Sequence, residues 1–420
     1  MYKQYTLPNK VSVVLVPQAD TQSITTLVMY PVGSRYEPQK LRGVSHYIEH
    51  IMFKGTQKRK STFVLTREID RLGAQYNAFT GKEYTGYYIK VGKDYAKTAV
   101  DILSDMLFHS LFDPKEMERE KGPIVEELKM YRDNPLMNID NIFEELLFDG
   151  SPLGRDIGGT DTHVMSYQRA DVLAYKKKYY DPSNMTVVMA GAVDEKTEEL
   201  ILAHFGAEPS KEKVSRSYKP SCFGSPARED RLTVQHKSTD QAQMMIGYPG
   251  LSYADEEYLP AADVMNTILG GSMSSRLFIQ IRERRGLAYT VRSGSDHFRD
   301  TGYVYVRAAV DPKNINKTIS VIQSEIKKMV EKSVTARELS DAKTHIRGAL
   351  TLDMEDSSSQ ANWFAKEALF YPRIATPDQY LERVDGVTQA EVQKIAKRLF
   401  KPSEMRIAII GNVKKQDVFF

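Results

Sequence analysis

The chain has 420 residues, 41% of them apolar and 27% charged, and its 58 basic and 55 acidic side chains leave a formal net charge of +3. That length suits two or three domains, two being the better fit, and the composition is that of a globular chain that buries a large core rather than a disordered one. So balanced a charge gives no electrostatic ground for nucleic-acid or membrane-surface binding, and the single cysteine, Cys222, excludes an intrachain disulfide, a cysteine-ligated zinc site and a thiol relay.

The opening residues, MYKQYTLPNK, lack the apolar core of a secretory signal and the amphipathic pattern of a transit peptide, and no run approaches 18 apolar residues. A cytoplasmic protein with no membrane partner is expected. The β-branched runs VSVVLV and SITTLVMY read as strands. Next comes GVSHYIEHIMFKGT, residues 43 to 56, with two of the chain's eight histidines four apart. On a helix, positions i and i+4 share a face, so His46 and His50 can meet one ion, with Glu49 bordering that face. Zinc takes imidazole nitrogen readily and keeps a position open when three protein groups hold it. Two half-buried histidines on a helix would give the same pattern, and a third ligand has to come from elsewhere.

YNAFTGKEYTGYY, residues 76 to 88, reads on propensity as an amphipathic hairpin. A helical pattern follows at Ala96, Ala99, Val100, Leu103, Met106 and Leu107. Asp113, Pro114 and Glu116 then provide an N-cap, an N1 proline and an N3 glutamate, which starts another helix. Glu120 and Glu127 lie seven apart on one of its faces, so a carboxylate there can complete a metal site, while Glu116, Glu118 and Glu126 read as solvated. Gly122-Pro123 lies between the two glutamates, and an interior proline predicts a bend near residue 122.

The second half repeats the first. YDPSNMTVVMAGAV (180 to 193) aligns with FKPSEMRIAIIGNV (400 to 413), TGYYIKV (from 85) with TGYVYVRAAV (from 301), and Tyr30-Pro31 with Tyr248-Pro249. The offsets run from 216 to 220 residues, and the helical pattern after TGY recurs at Ile315, Ile319, Ile322, Ile326 and Met329. The reading is an α+β chain of two homologous domains, 1–207 and 231–420, each a mostly antiparallel sheet with helices packed on one face. Residues 208–230, rich in Lys, Ser and Pro, form the linker. The second domain carries no zinc motif: the aligned segment LPAADVMNTILGG, residues 259 to 271, has no His or Glu. IRERRGLAY, residues 281 to 289, reads by itself as a charged helix end followed by a core tyrosine.

These residues resemble a known family. HYIEH followed by Glu127 is similar to the signature of the inverted-motif zinc metallopeptidases of the pitrilysin or M16 type, whose HxxEH reverses the usual HExxH order. The likeness extends to LPN, YNAFTGKEYTGYY, PLGRDIGGT, YYDPSNM and GGSMSSRLFIQIRERRGLAYTV, and in size the chain is similar to mitochondrial processing peptidase subunits and their bacterial relatives.

The resemblance implies one zinc per chain held by His46, His50 and Glu127, with Glu49 as the base acting on the zinc-bound water and Glu120 as a supporting carboxylate. Glu126 is the fallback ligand should Pro123 displace Glu127. It further implies that a peptide substrate adds as a strand beside Asn77, Ala78 and Phe79, and that Arg282 and Tyr289 stabilise the developing oxyanion. In the family four such half-domains enclose a chamber, so a homodimer with active sites shared between subunits is expected, and Gly270-Gly271 resembles a shortened form of the family's glycine-rich loop. The activity implied is endopeptidase cleavage of extended peptides or unfolded segments. Two alternatives stay open: a non-catalytic scaffold subunit of the same fold, and a peptide-binding module that holds zinc structurally.

Overall fold

A computed structural model describes residues 2–420 except 211–213, 215–217, 219, 222 and 225. Cys222 and part of the expected 208–230 linker therefore lie outside the described residues. The chain forms two compact units, each drawn from three segments: Met1–Lys129, Arg155–Tyr218 and Leu352–Ile374 in the first, and Met130–Gly154, Lys219–Thr351 and Ala375–Phe420 in the second.

The first unit holds a six-stranded sheet made of β1 (Lys3–Thr6), β2 (Ser12–Pro17), β3 (Ser23–Tyr30), β4 (Gln75–Thr80), β5 (Thr85–Gly92) and β6 (Thr186–Gly191), in the order β1-β2-β6-β3-β5-β4. Only β2 and β6 run parallel. The second unit repeats this plan with β7 (Leu232–His236), β8 (Ala242–Pro249), β9 (Ala288–His297), β10 (Gly302–Val310) and β11 (Arg406–Gly411), in the order β7-β11-β8-β10-β9, and only β7 and β11 are parallel. The sequence repeats fall on equivalent places: Tyr-Pro ends β3 and β8, Gly-Tyr opens β5 and β10, and the Pro-Ser-x-Met segments lead into β6 and β11. The expected α+β class and the mostly antiparallel sheets are present in both units.

Most helices of the first unit pack on one face of its sheet, where Val13, Leu15, Val28, Tyr87 and Val187 meet Val44, Ile48, Val100, Leu103 and Val172. The opposite face is covered as well. There Val14, Val16, Leu27, Met29, Val188 and Ala190 pack against Ala361, Phe364 and Ala365 of a helix at Ser357–Phe370. In the second unit Met245, Tyr303, Ala408 and Ile410 likewise meet Ile139, Phe143 and Leu147 of a helix at Pro135–Leu147. This second covering explains why β6 and β11 read as unbroken apolar runs: a strand buried on both faces has no reason to alternate.

Two further helices build the candidate site, α1 (Val44–Met52) and α2 (Pro114–Asp133). Val44, Tyr47, Ile48, Ile51 and Met52 of α1 are buried at helical spacing and fix its rotation, which leaves His46, Glu49 and His50 on the remaining stripe. Gly43 precedes α1 with φ of 90°, and a Cβ there would sit 2.3 Å from the Gly158 carbonyl oxygen. No side chain at position 43 can therefore cap the helix. Instead Glu37 reaches in from outside, accepting from the Gly43 and Ser45 amides at 2.6 and 2.8 Å. At the start of α2, Asp113 accepts from the Lys115 and Glu116 amides at 2.8 and 3.2 Å, the cap expected from the sequence.

Candidate metal centre

α1 and α2 bring their polar faces together. Nε2 of His46 and Nε2 of His50 lie 3.7 and 3.2 Å from Oε2 of Glu127, and the two imidazole centroids are 4.7 Å apart. Among the described residues these three form the one group of three with ligand atoms close enough to share an ion. α2 continues through Pro123, so the predicted bend does not end the helix or turn Glu127 away. Glu126 does not serve as the fallback: its carboxylate is 72% exposed and pairs with Lys129 at 2.7 Å.

The donor set suits zinc. Ligands about 2.1 Å from a tetrahedral ion are about 3.4 Å from one another, so the separations in the cluster match, and two imidazoles with one carboxylate leave a fourth position for water or substrate. Glu120 backs the site, with Oε1 3.0 Å from Nδ1 of His50 and Oε2 2.6 Å from Nζ of Lys54. A carboxylate on the outer nitrogen of a ligating histidine fixes its ring and tautomer.

The electrostatics separate the two histidines. Burial, helped by the neighbouring His50, lowers His46 to about 4. Burial acts the same way on His50, but its bonds to Glu120 and Glu127 outweigh it and raise that imidazole to about 9. Glu127 is held below the ordinary carboxylate range, chiefly by its bond to His50. For Glu120 the burial penalty is overcome by His50 and Lys54, and its pKa also falls. Glu49 moves the other way: burial raises it, against a hydrogen bond from Thr80 to its Oε2 at 2.5 Å.

Asn77, Ala78 and Phe79 lie on β4, which among the described residues pairs only with β5 and forms an edge of the first sheet. Ala78 and Thr80 share the α1 face, while Phe79 points to the other, where its ring lies over Gly86, its partner across the ladder. A Cβ at Gly86 would sit 2.2 Å from the Phe79 ring, which accounts for the glycine in Thr-Gly-Tyr. Arg282 and Tyr289 belong to the second unit and meet each other there: the guanidinium lies 4.6 Å from the Tyr289 ring centroid, and Tyr289 is 69% exposed.

Sequence reasoning missed three contributors. Lys54 follows His50 by four residues and Thr80 follows Ala78 by two, so helix and strand periodicity could have found both. Glu37 sits in a non-periodic turn and left no such signal.

The model described as insulinase (peptidase family M16) matches residues 12–161, and that of the peptidase M16 inactive domain matches residues 166–346. The chain is 33% identical over 400 residues to the uncharacterized zinc protease YmxG of Bacillus subtilis, covering 95% of this chain and 96% of that one. The chain belongs to peptidase family M16. A further M16 relative, an uncharacterized zinc protease of Streptomyces coelicolor, is 33% identical over 423 residues, with 98% and 90% of the two chains covered. Among solved structures, a protease from Helicobacter pylori superposes with a TM-score of 0.91 at 21% identity over 98% of this chain and 99% of that one, a likeness of fold. The inactive-domain match falls on a stretch that contains none of His46, Glu49, His50, Glu120 and Glu127, so the candidate metal cluster lies wholly within the other match. No helix among the described residues is long and apolar enough to cross a membrane.

Proposed function

We propose that this chain is a zinc-dependent endopeptidase that cleaves extended peptides or unfolded segments, with His46, His50 and Glu127 holding one zinc per chain. The observation that carries the reading is the convergence of those three ligand atoms beside a glutamate on the same helix face as both histidines. When bound, zinc would supply Lewis acidity, lowering the pKa of a water to about 7 and polarising the scissile carbonyl.

Glu49 takes a proton from the attacking water and returns it to the nitrogen of the departing amine as the carbon–nitrogen bond breaks. A carboxyl whose pKa is raised by burial suits a group that must both accept and give back that proton. The edge of β4 at Asn77, Ala78 and Phe79 takes the peptide as an added strand through main-chain hydrogen bonds, which selects extended segments over folded ones. Arg282 and Tyr289 donate to the carbonyl oxygen as negative charge develops on it. In this reading they reach a site on the other subunit of a homodimer whose half-units enclose a chamber.

The test compares wild type with Glu49→Gln on a disordered peptide. The variant is expected to keep zinc and peptide binding and to lose cleavage by about 10²- to 10⁴-fold. Equal turnover in both would remove Glu49 from the chemistry.

A further inference from the structure

Glu49 has a long side chain, and a base that swings freely loses much of its advantage, since a misplacement of about 1 Å can cost on the order of 100-fold in rate. Its carboxylate makes one hydrogen bond among the described residues, from the Thr80 hydroxyl to Oε2, so Oε1 is left to handle the proton. Thr80 ends β4 and is itself held firmly. It stands opposite Thr85 in the ladder, whose hydroxyl donates to the Val32 carbonyl at 2.8 Å.

The turn beyond Thr80 is clamped at several points. The Gly81 amide donates to the Tyr84 carbonyl at 2.7 Å, and the Arg35 amide to the Lys82 carbonyl at 2.9 Å. Gly33 approaches so closely that a Cβ there would sit 2.2 Å from the Gly81 carbonyl oxygen. The side chains of Arg35 and Glu83 pair at 2.7 Å with at most 1% exposure. A buried ion pair is a costly way to gain stability, but it fixes geometry. Here the geometry it fixes is that of the turn that leads out of Thr80.

From this arrangement we infer that Thr80 is a positioning residue that couples the substrate-binding edge to the general base. The inference rests on the proposed peptidase activity and deepens it: the strand that sets the register of the peptide also sets the direction of the Glu49 carboxylate. Thr80→Val keeps the shape and removes the donor, whereas Thr80→Ser keeps the donor.

The experiment uses full-length, zinc-loaded protein and a quenched-fluorescent disordered peptide. Thr80→Val is expected to lower kcat by about 10- to 100-fold with KM changed by less than about twofold. Zinc content and melting temperature should match wild type, Thr80→Ser should recover most of the loss, and adding Thr80→Val to Glu49→Gln should cost nothing further, because the two residues act as a unit. Wild-type kcat in Thr80→Val, an equal loss in Thr80→Ser, or a fall in zinc content or melting temperature alongside kcat would each overturn the inference while leaving the peptidase reading intact. A zinc-loaded wild type that cleaves nothing would sink both.

Discussion

The two sheets share a strand order, yet the helix that follows the third strand of the first unit and its counterpart in the second have opposite characters. α1 buries one stripe and offers His46, Glu49 and His50 on the other, facing the carboxylates of α2. The counterpart at Leu259–Asn266 is buried at seven of its eight positions. Its polar groups turn to structural partners: Asp263 accepts from the Tyr380 hydroxyl, and Asn266 donates to Ser295 Oγ at 3.2 Å. A helix apolar on nearly all sides is a core element, whereas one with a polar stripe can carry a site. One scaffold thus holds the candidate metal cluster in one unit and plain packing in the other, so the chemistry follows from the side chains placed on the fold.

The contrast is most severely tested by equivalent changes in the two helices. His50→Ala should abolish stoichiometric zinc binding and with it peptide cleavage, since two ligands cannot substitute for three. Asn266→Ala should leave zinc content unchanged and cost about 1 kcal/mol of stability through its lost hydrogen bond. Zinc loss in the second variant would mean that the two helices are not independent in the way described.

A smaller effect is expected at Arg282 and Tyr289, the residues proposed to act as oxyanion donors. Arg282→Ala should reduce kcat by about 10²- to 10³-fold at unchanged zinc content, the range for removing one oxyanion donor. Mixing it with Glu49→Gln protein should restore part of the activity if subunits share sites. Steady-state kinetics on the mixture checks this, and additive, unrescued losses would favour self-contained subunits.

The gentlest effect is that of pH. In the metal-free protein the stability contributed by protonated His50, bonded to Glu120 and Glu127, is fully present below about 6.5 and is lost as pH rises through about 9. Zinc needs the neutral ring, so its uptake below pH 9 displaces that proton, while His46, lowered to about 4, is already neutral. Chelator competition should show zinc affinity falling about tenfold per pH unit between about pH 8 and 6. A flat profile would show that His50 binds no proton to be displaced.

Much of this was legible in the sequence because periodicity carries it. Spacings of four and seven residues placed His46, His50, Glu120 and Glu127 on two helical faces, and the repeated Tyr-Pro, Gly-Tyr and Pro-Ser-x-Met segments marked equivalent strands. What periodicity does not encode was hidden. The exchange of segments 130–154 and 352–374 between the units depends on contacts distant in sequence, although the unbroken apolar run of β6 already signalled a second covered face. Glu37 caps α1 across a turn from outside the helix, and no local pattern announces such a cap.

Zinc K-edge X-ray absorption combined with metal analysis of the purified chain addresses the metal cluster itself. One zinc per chain is expected, with two imidazole nitrogens and a carboxylate oxygen at about 2.0–2.2 Å, and its signal should vanish in His50→Ala. No retained zinc, a sulfur ligand at about 2.3 Å, or an unchanged spectrum in that variant would contradict a metal held by α1 and α2.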